Sequence, residues 1–221
     1  SSDVCSSDLM SIEDATYVSF DLETTGFSVI HDGITEFGAV KIKNGEVIDR
    51  LQSFVNPGKK IGTRVSQLTN ITNEMVADAP TIKEFLPQIL EFFGDAILVA
   101  HNAKFDIGFL NESLKRLNQK PITNPVIDSL ALARAIMKPM KSYRLGNVCR
   151  VYRVNYDDDV AHRADYDAEV LGAVFTTMLH SIMQSGNYNL LDLNKLQKDD
   201  AYKIVFPYHM TALALNKEGL K

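Results

Sequence analysis

The chain has 221 residues, 45% of them hydrophobic, which suffices for one core of ordinary size with a little left over. Its formal net charge of −5 is the wrong sign for holding a polyanion by an overall field, so any nucleic-acid binding has to be local. No apolar run approaches the roughly 20 residues of a bilayer span, no signal-peptide pattern opens the chain, and Cys5 and Cys149 form neither a metal nor a redox spacing, so a cytoplasmic protein without a membrane partner is expected.

Residues 1–9 are rich in serine and aspartate, lack periodicity and join abruptly to Met10. They resemble the read-through translation of a sequencing-library adapter and are set apart as a non-native tail, Cys5 included. Residues 17–21 read as a short apolar strand, followed by a turn at Thr24-Thr25-Gly26. Residues 34–43 and 46–55 predict two more strands, and Asn44-Gly45 between them is a strong hairpin signal, so three antiparallel strands open the domain. Thr81 and Glu84 form a capping box ahead of Ile82, Phe85, Leu86, Ile89, Leu90 and Phe93, a helix that ends at Gly94. Residues 96–100 predict a buried strand, and Phe105, Phe109, Leu110, Leu114 and Leu117 recur at helical spacing after it. A short strand follows at 126–128, with helices over 129–137, 145–152 and 165–184. Three strands followed by alternating helix and strand predict an α/β fold with a mixed sheet flanked by helices.

Asp21 and Glu23 stand two apart at the end of the first strand. Both side chains therefore leave one face, with Cα atoms about 6.6 Å apart, and can reach one cation between them. A hard dication with oxygen ligands at about 2.0–2.1 Å and retained waters suits such an open carboxylate cluster. Asp106 falls in the first turn of a helix, where the helix dipole alone accounts for an acid. The dipole does not account for the polar pair His101-Asn102 at the exit of an apolar strand, where an open sheet is expected to carry a ligand site. His162 precedes Asp167 by five residues, about 500° of helix, which would point the two some 140° apart if both were helical. His162 must therefore sit on the loop before the helix to share a site with Asp167. Basic residues gather between Lys138 and Arg163 (with Lys141, Arg144, Arg150 and Arg153 between them), either as a solvated face or as a backbone-contact patch.

Asp21-Leu22-Glu23-Thr24-Thr25-Gly26, His101-Asn102-Ala103-Lys104-Phe105-Asp106, and His162 with Asp167 resemble the three exonuclease motifs of the DEDD superfamily. The tyrosine branch carries a Tyr four residues before the last Asp. Here that position is Arg163, and His162 at five before assigns the chain to the histidine (DEDDh, DnaQ-like) branch. The resemblance implies a ribonuclease H-like fold and a catalytic set of Asp21, Glu23, Asp106, His162 and Asp167. It implies two Mg²⁺ or Mn²⁺ ions, one held by Asp21, Glu23 and Asp167 and the other by Asp21 and Asp106, with His162 as general base. It also places the Thr24-Thr25-Gly26 backbone and Phe27 against the terminal nucleotide, with His101 and Asn102 near its phosphates. Core packing is the alternative for Phe27.

From Ala15 to Lys221 the chain is further similar to the exonuclease region of PolC-type DNA polymerase III alpha subunits. Asn70-Ile71-Thr72-Asn73-Glu74-Met75, Asn124-Pro125-Val126-Ile127-Asp128-Ser129 and the tail from Pro207 to Leu220 carry that likeness. The tail resembles the strand and helix of the polymerase-associated PHP domain. The resemblance implies a proofreading domain at 10–190 and, at 191–221, a connector with the truncated start of the next segment. Its partners would be a DNA 3′ end, the rest of the polymerase chain and, indirectly, the sliding clamp and other replisome components. A stand-alone exonuclease acting on RNA or single-stranded DNA is the alternative, and a non-catalytic docking module is a third reading, which would require a lost metal ligand.

Overall fold

The computed structural model describes residues 11–186, 189, 190 and 193. The adapter-like stretch 1–9 and nearly all of 191–221, with the segment from Pro207 to Leu220, lie outside the described residues.

A five-stranded mixed sheet in the order β3-β2-β1-β4-β5 forms the centre. β1 (Thr16–Thr24), β2 (Ile34–Lys43) and β3 (Glu46–Phe54) run antiparallel, as the hairpin signal predicts. Asn44 (φ 52°) and Gly45 (φ 77°) both take the left-handed backbone that a tight hairpin with this twist demands. β4 (Ile97–Ala100) and β5 (Val126–Asp128) add parallel strands on the other edge of β1. β1 extends three residues beyond the expected Asp21, to Thr24, with a register shift between Glu23 and Thr24, so Thr24 closes the strand and the turn starts at Thr25.

Strand alternation sorts the core into two layers. Val18, Phe20, Leu22, Phe37 and Leu98 face α3 (Ile82–Phe93) and α4 (Lys104–Arg116). Phe20, Phe37 and Phe93 are fully buried there, and each such side chain contributes roughly 1.5–3 kcal/mol of burial. Tyr17, Val40, Ile42, Val99 and Ile127 face the other way, onto α5 (Ser129–Ile136), α6 (Leu145–Tyr152) and α7 (Ala164–Gln184). α3 starts at the expected capping box, where the Thr81 backbone N–H donates to Glu84 at 2.8 Å, and it stops at Gly94.

Two short helices were not expected: α1 (Thr63–Thr69) and α2 (Asn73–Ala77). Neither is long enough to display a helical period. Their ends are set by local chemistry instead, through a left-handed Asn70 after α1 and the Thr72 hydroxyl, which accepts from Met75 N–H at 3.4 Å, before α2. They enclose a small separate cluster of Ile61, Ile71 and Val76.

Candidate active site

The even-numbered apolar residues of β1 point at α3 and α4, so Ser19, Asp21 and Glu23 point toward α7. Ser19 is buried and donates its hydroxyl to the Ala168 carbonyl at 2.9 Å, locking the strand to the first turns of that helix. One and two side chains further along the same face, Asp21 and Glu23 come up against Asp167. The carboxylates thus collect where β1 and its parallel neighbour β4 end, and Asp106, in the first turn of α4 just beyond β4, closes the group from the other layer. Among the described residues, ligand atoms of Glu23, His162 and Asp167 all lie within 4.8 Å of one another.

His162 is on the loop before α7, as the helical arithmetic requires. Its backbone is left-handed at φ 66°, and its N–H donates to Asp167 Oδ2 at 3.0 Å. Asp167 Oδ1 is buried without a hydrogen-bond partner among the described residues.

Burial is the first cause that raises every acid of the group. Asp21 is pushed well above the usual carboxylate range by burial, then by the charges of Asp106, Glu23, Asp167 and Glu36. Glu23 rises to about 9 through burial, then Asp167 and Glu36, against a smaller opposing pull from Arg163. Asp106 rises to about 8 through burial, with the backbone amides of Asp106 and Leu22 pulling it back. Asp167 is raised as well, by burial above all, with the His162 backbone hydrogen bond opposing. Packing like charges together is unfavourable unless something positive joins them. An oxygen-rich group with an unpartnered buried carboxylate oxygen fits hard divalent cations.

The side chains of the other expected substrate neighbours are largely engaged within the protein. Thr24 is buried and donates its hydroxyl to Gly26 O at 2.6 Å. Thr25 Oγ1 donates to Asp32 Oδ1 (3.1 Å) and accepts from Gly33 N–H (3.0 Å). Asp32 also accepts from Ser28 N–H and Lys59, and a Cβ on Gly26 would stand 2.4 Å from its carboxylate. The threonine side chains therefore brace the 25–33 loop. What that loop presents is Phe27, 90% exposed, touching Phe105 edge-on at 6.3 Å between ring centroids. This exposure excludes core packing for Phe27. His101 has both ring nitrogens engaged, with Ser129 Oγ and the Tyr143 carbonyl, each at 2.8 Å, so it holds the 137–144 loop and offers neither nitrogen to a phosphate. Burial lowers its pKa, in keeping with a neutral ring. Asn102 takes a left-handed backbone (φ 71°) and donates its N–H to Asp128, which caps α5. Arg163, grouped by sequence with the basic stretch, turns inward onto Glu36, and Arg150 pairs with Asp158. Glu36 escaped sequence reasoning altogether; the signal was an acid in an otherwise apolar strand.

A sequence model of the family described as Exonuclease (RNase_T) matches residues 18–175. The chain is 44% identical over 211 residues to the PolC-type DNA polymerase III of Staphylococcus epidermidis, and 42% to that of Bacillus cereus. These matches take in 95% of this chain but only 14% and 15% of the two relatives, so the chain spans a small part of their length. Among solved structures, it resembles Exonuclease X in complex with 5′-overhanging duplex DNA, with a TM-score of 0.61 and 24% identity over 76% of this chain and 92% of that one. It also resembles E. coli Exonuclease I in complex with a dA16 oligonucleotide, with a TM-score of 0.68 and 17% identity over 77% and 42% of the respective chains. The shared fold is the ribonuclease H-like one.

Proposed function

The chain belongs to the RNase_T exonuclease family, and on that premise we propose that it is the 3′→5′ proofreading exonuclease domain of a PolC-type replicative DNA polymerase. The observation that carries the activity is the meeting of Glu23, His162 and Asp167 at the end of β1, with the charges of Asp21 and Asp106 in the same partly buried group. The polymerase origin is supported by 44% identity across 95% of the chain, coverage that reaches into the segment beyond residue 190. On this reading the domain spans 10–190 and the next polymerase segment starts within 191–221. Its substrate is a DNA 3′ end, its partner the rest of the polymerase chain and, through it, the clamp, and its compartment the cytoplasm.

Asp21, Glu23, Asp106 and Asp167 would hold two divalent ions, Mg²⁺ or Mn²⁺. Bound there, such ions supply charge relief on the phosphoryl and leaving oxygens and make water more acidic. His162 accepts a proton from the attacking water as the water oxygen forms its bond to phosphorus. The bond from phosphorus to the 3′-oxygen then breaks, releasing a nucleoside 5′-monophosphate, and the shortened strand takes up a proton from solvent. The imidazole is exposed, and histidine is the side chain best suited to such a transfer near neutral pH. Phe27 stands exposed against Phe105, the neighbour of Asp106, where the terminal base would stack. The Gly26 and Asn102 backbones flank the path of the strand.

A 5′-labelled primer with Mg²⁺ tests this. The wild-type chain should produce a ladder shortened from the 3′ end, faster from mismatched than matched termini. Asp21→Ala should abolish cleavage with the fold left intact, and His162→Ala should slow turnover by about 10² or more with metal binding kept. Full activity in either variant overturns the assignment, and matched RNA and DNA substrates decide the sugar preference.

A further inference from the structure

We infer that Glu36 and Arg163 form a positioning clamp that sets the start of α7, so that His162 and Asp167 meet Glu23; this rests on the exonuclease reading above. Glu36 has no solvent exposure, and a buried carboxylate persists only when it is paired and hydrogen-bonded. Both of its oxygens are engaged. Oε1 accepts from Gln52 Nε2 (2.8 Å) and Arg163 Nη2 (2.7 Å), and Oε2 accepts from Arg163 Nε (3.0 Å) and the Ala164 backbone N–H (3.0 Å). The carboxylate thus grips the first residue of α7 directly and the residue before it by a two-point fork. Arg163 is further seated over the Phe54 ring at 5.2 Å.

Strand register makes this grip relevant to catalysis. Glu36 on β2 lies directly opposite Glu23 on β1. Tying Arg163 and Ala164 to Glu36 therefore fixes the helix start relative to the strand that carries Glu23. Arg163 lies between the two residues that must be placed: His162 immediately before it and Asp167 one turn later. The left-handed backbone of His162 is strained and endures only where its surroundings over-determine it. The anchored Arg163 on one side and the bond to Asp167 on the other do so. Fold stability is a poor alternative reason for such a pair, because a buried ion pair is often no more stabilising than apolar residues of the same volume.

The test uses the full 221-residue chain with three readouts: thermal melting, Mn²⁺ affinity by calorimetry, and kcat and KM on a single-stranded DNA oligonucleotide. Glu36→Met with Arg163→Met removes both charges and should melt near the wild type. Its kcat should nonetheless fall about 10- to 100-fold at unchanged KM, with weaker Mn²⁺ binding, since a misplacement of about 1 Å costs on that scale. Wild-type kcat and Mn²⁺ affinity in this variant would overturn the clamp. Should the double variant not fold, Arg163→Lys keeps the charge while losing the fork. A several-fold kcat loss at near-native melting supports the proposal, and wild-type kcat there sinks it. Mn²⁺ affinity reads the clamp even if the wild-type chain cleaves no strand, an outcome that would count against the exonuclease reading alone.

Discussion

Phe27 shows how a single side chain can be committed to a task outside the core. A phenylalanine 90% exposed gives up the burial that would reward it, yet the loop beneath it is held firmly. Asp32 accepts from Thr25, Ser28 and Lys59, while Arg116 donates to the carbonyls of Val29 (3.2 Å) and Ile30. A rigid loop presenting an aromatic ring beside a carboxylate group can stack a base without first being ordered. Phe27→Ala should leave stability within about 0.5 kcal/mol, because it removes almost no buried surface. The same change should weaken single-stranded DNA binding by at least about fivefold, the low end of one base–aromatic stack at roughly 1–3 kcal/mol. Fluorescence anisotropy of a labelled oligonucleotide in Ca²⁺ measures it, and unchanged affinity would remove Phe27 from the site.

Between elements, the decisive contact is α7 lying directly on β2. A Cβ on Gly38 would stand 2.2 Å from the Ala164 carbonyl carbon and oxygen, both of them backbone atoms that cannot turn aside. Gly38→Ala should therefore cost about 1–3 kcal/mol or more in urea denaturation, as overpacking does, and should reduce cleavage by shifting the helix that carries Asp167. A variant as stable and active as the wild type would mean that α7 docks without that contact. The same pairing shows what a sequence can and cannot reveal. Asn44-Gly45, the Thr81–Glu84 box and the two-residue spacing of Asp21 and Glu23 were legible because their chemistry is local, and helical arithmetic alone took His162 off the helix. Glu36 and Arg163 are 127 positions apart, and no period or motif links an acid in an apolar strand to a cation counted with a basic surface run. The side-chain bonds of Thr25 and His101 were not legible for a related reason. Their partners Asp32, Ser129 and Tyr143 are distant in sequence or carry no motif, and the bonds hold the flanking loops in place.

For the molecule as a whole, the acidic balance and the clustered carboxylates should make stability depend on cations. Free of divalent metal, Glu23 at about 9 and Asp106 at about 8 lie far above the roughly 4 such groups have in an unfolded chain. Between those values the folded state binds more protons than the unfolded one, so stability must fall as pH rises through the window from about 4 to 9. A dication between the carboxylates reverses their mutual repulsion, and binding only to the folded state adds stability by mass action. In a chelator, the melting temperature should therefore drop steadily from pH 5 to pH 9, and the gain on adding Mg²⁺ should be larger at pH 9 than at pH 5. Glu23→Gln deletes one of the raised acids and one ligand, so its pH slope should be shallower and its Mg²⁺ gain smaller than those of the wild type. A melting temperature that stays flat with pH in chelator, or a Mg²⁺ gain that Glu23→Gln leaves intact, would show that these carboxylates do not act as one cation-dependent group.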